Sequence, residues 1–347
     1  MFDCRSPGDA AAKVVGLGFG CAALGNLYAP ISDQDARAAI DAARSAGIAF
    51  FDTAPFYGFG LSERRLGDAL RGDSGLVVSS KVGRLLVPDE AQTVEQSRDG
   101  FLSPLPFRVA YDYSYDGILR SHEASLQRLG LARINILLVH DIGRANHGDD
   151  NARYWQQLTH GGGFRALEEL RASKAIDGFG LGVNETAICL DAMRETQLDV
   201  VLLAGRYTLL EQDALDAFLP ACVTHRVAVV IGGPYNSGIL ATGTRSGGPM
   251  HYDYAIAPLA IVERVRRIER IADAHAVPLA AAALRFPIAH PAVARVLPGL
   301  ASAAQVERTL EVYNTKIPDD FWRDLRQAGL IRADAPVPSP AMAGTEL

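Results

Sequence analysis

Eight short runs rich in Val, Ile and Leu recur along this chain, separated by helical patterns, and that rhythm restricts the fold more than any other feature. The runs are Val14–Leu17, Ile48–Phe51, Leu76–Val78, Ile134–Val139, Ile176–Leu181, Val200–Leu203, Val227–Ile231 and Val293–Leu297. Near-continuous apolar content suits strands covered on both faces, as in a parallel sheet. Helical patterns lie between them. Ser32 can cap a helix to Ser45 that Gly47 ends, and Tyr115 to Leu129 places Ile118, Leu119, Leu126 and Leu129 on one stripe before Gly130. Further helices are expected over 62–70, 163–172, 185–196, 211–221, 261–275 and 302–313. Eight β/α units predict an α/β fold of the closed (β/α)8 TIM-barrel type. The 347 residues are read as one such domain, with long loops near 85–114 and 236–258 and a flexible Pro/Ala-rich tail at 333–347.

Bulk properties narrow the partners. A net charge of −6 without a polybasic block argues against nucleic acid and against anionic membranes. No run reaches the roughly 18 apolar residues of a span; the best stretch, Val277 to Ala289, is broken by Pro278, Arg285 and Pro287. Cys4, Cys21, Cys189 and Cys222 are scattered, and the N-terminus has no apolar core of a signal peptide. The expectation is a cytoplasmic protein with free thiols, working on a small molecule. The oligomeric state is left open.

Three of the runs carry polar groups at their C-terminal ends. Ile48–Phe51 leads to Asp52 and a turn, Thr53-Ala54-Pro55-Phe56-Tyr57-Gly58. Leu76-Val77-Val78 leads through Ser79-Ser80 to Lys81, and Ile134–Val139 leads to His140-Asp141. In a barrel these ends share one face, which makes Asp52, Tyr57, Lys81 and His140 a candidate proton-transfer centre. A tyrosine near pKa ~10 is a poor acid at neutral pH. A neighbouring Lys81 ammonium is expected to lower it, Asp52 to hold Lys81, and neutral His140 to orient the substrate oxygen. Each residue alone has a plainer reading as a packed aromatic, a turn former or a structural histidine; the joint occurrence carries the inference.

Other motifs are weaker. Gly18-Phe19-Gly20-Cys21-Ala22-Ala23 fits G-x-G-x-x-A, but Gly25 and Pro30 interrupt the helix that a dinucleotide fingerprint needs, leaving a barrel strand with a Gly-rich loop as the plainer reading. The eight histidines show no metal-ligand spacing, so no metal is expected, and no G-x-S-x-G elbow occurs. Trp155, Tyr154 and the Tyr111/Tyr113/Tyr115 set can line a sugar-binding loop or pack that loop onto the barrel.

The segments Phe51–Gly58, Ser80-Lys81 and Val139-His140-Asp141 resemble the Asp/Tyr/Lys/His tetrad of the aldo-keto reductases, in the family's order, and the resemblance runs from about Gly16 to Leu310. It implies an extended nicotinamide dinucleotide, NAD or NADP, bound without a Rossmann domain. It implies that Gly20 and Cys21 touch that cofactor, that Asn184 in Leu181-Gly182-Val183-Asn184 holds the nicotinamide amide, and that Pro234, Asn236, Ser237, Gly238 and Leu240 form the pyrophosphate loop. Gly299, Leu300, Ala301, Gln305, Arg308 and Thr309 would hold the adenosine end. Tyr57, His140, Asp141, Trp155 and Arg206 are the substrate-binding candidates. Two departures stand out. Ala204 occupies the place of a sixth-strand Gln, and Gly232 the place of an aromatic on the nicotinamide. Both make room beside the ring and resemble the branch of L-fucose and D-threo-aldose 1-dehydrogenases and pyridoxal 4-dehydrogenases. The resulting reading is oxidation of the C1 hydroxyl of a cyclic aldose to a lactone. The alternatives are pyridoxal oxidation, general aldehyde reduction with NADPH and, more distantly, a non-catalytic cofactor-sensing subunit. Segment 299–305 contains no cation for a 2′-phosphate, which favours NAD, with Arg308 as the counterweight.

Overall fold

The computed structural model describes residues 16–93 and 97–338. Eight strands pair in sequence order: β1 (Phe19–Gly20), β2 (Phe50–Asp52), β3 (Val77–Val82), β4 (Ile136–His140), β5 (Gly178–Val183), β6 (Val200–Ala204), β7 (Ala228–Gly232) and β8 (Val293–Leu297). Every neighbouring pair is parallel. Parallel bridges Leu17 to Val296 and Gly20 to Gly299 join β1 to β8, so the sheet closes into a (β/α)8 barrel.

The strands are apolar on both faces because each face meets a different core. Phe50, Ile136, Leu138, Val200, Leu202, Val230 and Leu297 form a cluster inside the barrel. Their chain neighbours Phe51, Leu137, Val139, Val201, Leu203, Val229, Ile231 and Val296 belong to the larger core under the helices. The two-residue period then decides what reaches the top of the barrel. Two positions beyond Phe50 is Asp52, and two beyond Leu138 is His140. Two beyond Leu202 and Val230 are Ala204 and Gly232. On β3, Lys81 follows Ser79 by the same step. The strand rhythm thus delivers three polar groups and two small residues to the C-terminal mouth.

The first strand lies later than expected. Pairing with β2 begins at Phe19, while Leu17 makes only a bridge and Val14 and Val15 fall outside the described residues. The helix with Ser32 as cap covers Asp33–Ser45, with the Asp35 N–H donating to Ser32 Oγ. Tyr115–Leu129 and Gly163–Ala172 form helices as read, and Gly130 ends the former at φ 62°. The helix expected over 211–221 starts at Phe218 and runs to His225, because the Gln212 side chain is drawn into packing: it donates to Leu209 O and accepts from Arg332 N. Residues 85–114 are not all loop: Arg84–Pro88 and Phe107–Tyr111 pair as an antiparallel hairpin. Residues 236–258 hold a short helix, Ile239–Thr242, and a two-residue ladder. Val277–Ala289 is a core helix, Leu279–Ile288, and no single helix among the described residues is long and apolar enough to cross a membrane. The tail expected to be flexible begins with Ala335 buried, whereas 339–347 lie outside the described residues.

Candidate active site

Asp52, Tyr57, Lys81 and His140 converge at the C-terminal mouth. Asp52 ends β2 with 3% of its surface exposed. Its Oδ1 accepts from Ser79 Oγ at 2.6 Å and its Oδ2 from Lys81 Nζ at 2.7 Å. Lys81 also donates to Thr53 O at 2.9 Å, so the ammonium is fixed by the strand that carries Asp52. Gly182 on β5 leaves room for it; a Cβ there would lie 3.2 Å from Lys81 Cε. The ammonium sits 4.7 Å from the centre of the Tyr57 ring. His140 presents its ring edge-on to Tyr57, with centroids 6.1 Å apart.

Tyr57 owes its place to a close backbone contact. It opens a tight turn, Tyr57–Gly60, that presses on the turn Cys21–Gly25 after β1. A Cβ on Gly58, at φ +64°, would come 2.5 Å from Gly25 O, and a Cβ on Gly25 would come 2.5 Å from the Tyr57 carbonyl carbon. Only two glycines let these turns meet. The contact explains why Gly58 follows the tyrosine.

The electrostatics show the expected pull of Lys81 on Tyr57 and a larger effect that opposes it. Burial pushes the Tyr57 phenol up to about 12, outweighing the downward pull of Lys81. Burial also presses against the charge on Lys81, yet Asp52 and Tyr57 raise its pKa above the ordinary lysine value. His140 is held well below the usual histidine range by burial and by the cations Arg84 and Lys81, so it is neutral. At neutral pH the centre holds a phenol, an ammonium and a neutral imidazole. Its resting form can donate a proton from Tyr57.

A cleft of about 860 Å³ runs from Asp52 and Tyr57 past Asn184 and Gly232 to Gln305, Arg308 and Thr309. Gly20, Cys21, Pro234, Asn236, Ser237, Gly238, Gly299 and Leu300 line it as well. An elongated dinucleotide fits this shape. Cβ atoms built on Gly238 and Gly299 meet nothing within 4 Å, so those walls are open cradle and not packed core. Several expected contacts are spent internally. Leu240 is fully buried and its N–H donates to Tyr235 O, so it faces the core and not the cleft. The Ala301 N–H is taken by Gln305 Oε1. Asn236 braces the turn, accepting from Thr208 Oγ1 and donating to Gly205 O. Arg295 is buried over the Phe50 ring inside the barrel, far from a phosphate role.

Two substrate-binding candidates are also redirected. Trp155 packs edge-on against Phe164, and Tyr154 joins Tyr111, Tyr113 and His147 in an aromatic cluster, which favours the loop-packing reading. Arg206 donates to Asn184 O at 2.7 Å and pairs with Asp253 at 2.9 Å, tying the 236–258 loop to β5 and β6. Asp141 lies beside His140 but pairs with Arg84 at 2.6 Å. Sequence reading missed Ser79, Arg84 and Tyr254. The Tyr254 hydroxyl accepts from Asn184 Nδ2 at 3.3 Å while its N–H donates to Ser237 Oγ at 2.9 Å. A Tyr/His cluster in a Gly-rich loop was the available signal for it.

Comparison with known proteins identifies the family. The chain is 47% identical to the pyridoxal 4-dehydrogenase of Microbacterium luteolum over 94% of this chain and 97% of that protein. It is 38% identical to the D-threo-aldose 1-dehydrogenase of a Pseudomonas species, over 94% and 98%. The solved aldo-keto reductase AKR11C1 of Bacillus halodurans superposes with a TM-score of 0.68 at 23% identity, covering 94% of both chains, and supports the fold. A sequence profile described as the aldo/keto reductase family matches residues 16–329, and the chain belongs to that family of NAD(P)-dependent oxidoreductases.

Proposed function

We propose that this protein dehydrogenates cyclic hemiacetals to lactones, with Tyr57 as the proton-transferring residue. Aldoses close into such rings, and pyridoxal does so through its neighbouring hydroxymethyl group, so one chemistry covers the substrates for which both relatives are named. The observation that carries the reading is that Tyr57 shares one cleft with Ala204 and Gly232, two small residues that narrow it less than larger side chains would.

A nicotinamide dinucleotide, when bound, supplies the hydride acceptor or donor. Asn184, Gly232, Pro234, Gly238, Gly299, Gln305 and Thr309 would hold it. Tyr57 takes the hydroxyl proton at its Oη during oxidation and returns it during reduction. Lys81 favours the phenolate by its charge, and Asp52 keeps that charge in place. Neutral His140 donates to or accepts from the substrate oxygen without adding a second cation. We further propose that NAD serves at least as well as NADP. Among the described residues, Arg308 is the one cation lining the cleft, and it is 70% exposed and paired with Glu311 at 3.0 Å. The whole chain is proposed to act as a single barrel unit.

The test is a panel of L-fucose, D-arabinose, L-galactose, pyridoxal and a simple open-chain aldehyde, each with either cofactor, read by absorbance of the reduced form. Turnover of ring-closing compounds with a lactone product supports the reading. Turnover confined to the open-chain aldehyde overturns it. A tenfold preference for NADP, about 1.4 kcal/mol, overturns the cofactor assignment.

A further inference from the structure

A second cavity of about 300 Å³ lies beside the proton-transfer centre, and none of the residues lining it lines the dinucleotide cleft. Three guanidinium groups face it, Arg84, Arg98 and Arg108, against the two carboxylates of Asp99 and Asp141. Asp141 is already engaged with Arg84 Nη2, and Asp99 sits exposed at the rim. Arg84 is 3% exposed, yet its Nε has no partner among the described residues. Nε and Nη1 of Arg98 are likewise buried and without partners among the described residues. Their faces are occupied: Arg84 lies 4.4 Å over the Phe56 ring and Arg98 3.6 Å over the Phe59 ring. The guanidinium planes are therefore held, while edge N–H groups are left without acceptors. Planar, pre-oriented guanidinium edges bind carboxylate and phosphate oxygens through charge-assisted hydrogen bonds.

The cavity is also close to the chemistry. Asp141 Oδ2 lies 2.6 Å from Arg84 Nη2 and 3.5 Å from His140 Nε2. We propose that this cavity is an oxyanion subsite for the substrate, holding a carboxylate or phosphate carried on the ring while the reacting hydroxyl rests at Tyr57 and His140. The proposal rests on the hemiacetal reading above and narrows it: acidic rings, such as uronates or sugar phosphates, are the preferred class.

Two measurements test it. Crystals of the full chain soaked in selenate are read by anomalous scattering, which needs no turnover. Selenium density in the cavity that places selenate oxygens within hydrogen-bonding distance of Arg84 and Arg98 supports the subsite; its absence from the cavity overturns it. In parallel, kcat/KM is compared for L-galactose, L-galacturonate and L-galactose 6-phosphate, which separates carboxylate from phosphate. At least one anionic sugar should exceed the neutral one by tenfold or more. Arg98→Met should abolish that advantage and leave the neutral sugar within about twofold, while Arg98→Lys restores part of it. Equal loss on neutral and anionic sugars overturns the proposal. Turnover of neither the sugars nor pyridoxal refutes the hemiacetal reading, and the selenate density still judges the cavity.

Discussion

Replacing Asp52 by Asn tests the buried pair at the centre of the site. In the native protein Lys81 and Asp52 are 2% and 4% exposed at their side chains and 2.7 Å apart. The amide keeps the shape of the carboxylate but removes its charge, leaving the ammonium among neutral partners, Thr53 O foremost. Breaking one side of a buried ion pair typically costs about 3–5 kcal/mol. Unfolding 347 residues at about 2.1 cal/mol/K each carries an entropy near ~0.73 kcal/mol/K, so Tm should fall by about 4–7 °C. The sign of the pH dependence follows from Lys81. In the native protein its pKa is raised, so its contribution is complete below the unfolded value and is lost only as pH rises through the folded one. Without Asp52, burial dominates and the folded pKa drops below the unfolded value near ~10.4. Folding then forces a proton off or buries a lone charge, at greatest cost at low pH. The Tm deficit of Asp52→Asn should therefore narrow between pH 7 and pH 10, by differential scanning calorimetry. Adding Lys81→Met should recover part of the loss, since no lone charge remains. A deficit below about 1 kcal/mol, or one that widens with pH, would refute the account.

Three further outcomes are expected. Tyr57→Phe should lower kcat by ~10²–10⁴ while dinucleotide binding, followed by fluorescence quenching, stays near wild type, because only the proton-carrying oxygen is lost. With the Tyr57 phenol near 12, its basic form grows with pH, so the oxidation rate should climb from pH 7 to pH 10 while reduction stays level until higher pH; an oxidation rate that falls across that range contradicts the assignment. Gly299→Val should weaken dinucleotide binding at least tenfold with little change in Tm, since a Cβ there meets nothing within 4 Å and projects only into the cleft.

The tetrad was legible because its carriers stand at strand ends, where a two-residue period and a change from apolar to polar coincide. Asp52, Lys81 and His140 each sit on that beat. The hairpin Arg84–Pro88 with Phe107–Tyr111 was hidden because its arms are separated by Asp-, Ser- and Pro-rich chain, and non-local pairing leaves no local signature. Helix Leu279–Ile288 was obscured by Pro287, which lies inside it although it has no N–H to donate back to the preceding turn. Helix Asp319–Gln327 was overlooked because Phe321, Trp322 and Leu325 are its only buried residues in a polar stretch. The net pKa of Tyr57 was missed for a different reason, although Lys81 does pull it down as expected. The identity of its neighbours is written in the sequence, but the extent of burial is a property of the assembled mouth. Arg84 was passed over on the same ground, since an arginine after a strand ordinarily reads as solvated.

The closure of the barrel sets where this protein breathes. β1 is two residues long, and its junction with β8 and the chain after it rests on four backbone hydrogen bonds: Gly18 N–H to Val296 O at 2.9 Å, Gly20 N–H to Pro298 O at 3.0 Å, Val296 N–H to Gly16 O at 2.8 Å and Leu300 N–H to Gly20 O at 3.4 Å. So thin a seam opens locally before the longer strand pairs from β2 to β8 separate. Gly20 and Gly299, which face each other across it, also line the dinucleotide cleft. A molecule lying there grips both edges at once and acts as a clasp on the ring of strands. Amide hydrogens of Gly18, Gly20 and Val296 should therefore exchange fastest among the barrel strands of the free protein and slow the most on cofactor saturation, by RT ln(1 + [L]/Kd) of added protection where opening releases the ligand. Uniform slowing around the barrel would place the weak point elsewhere.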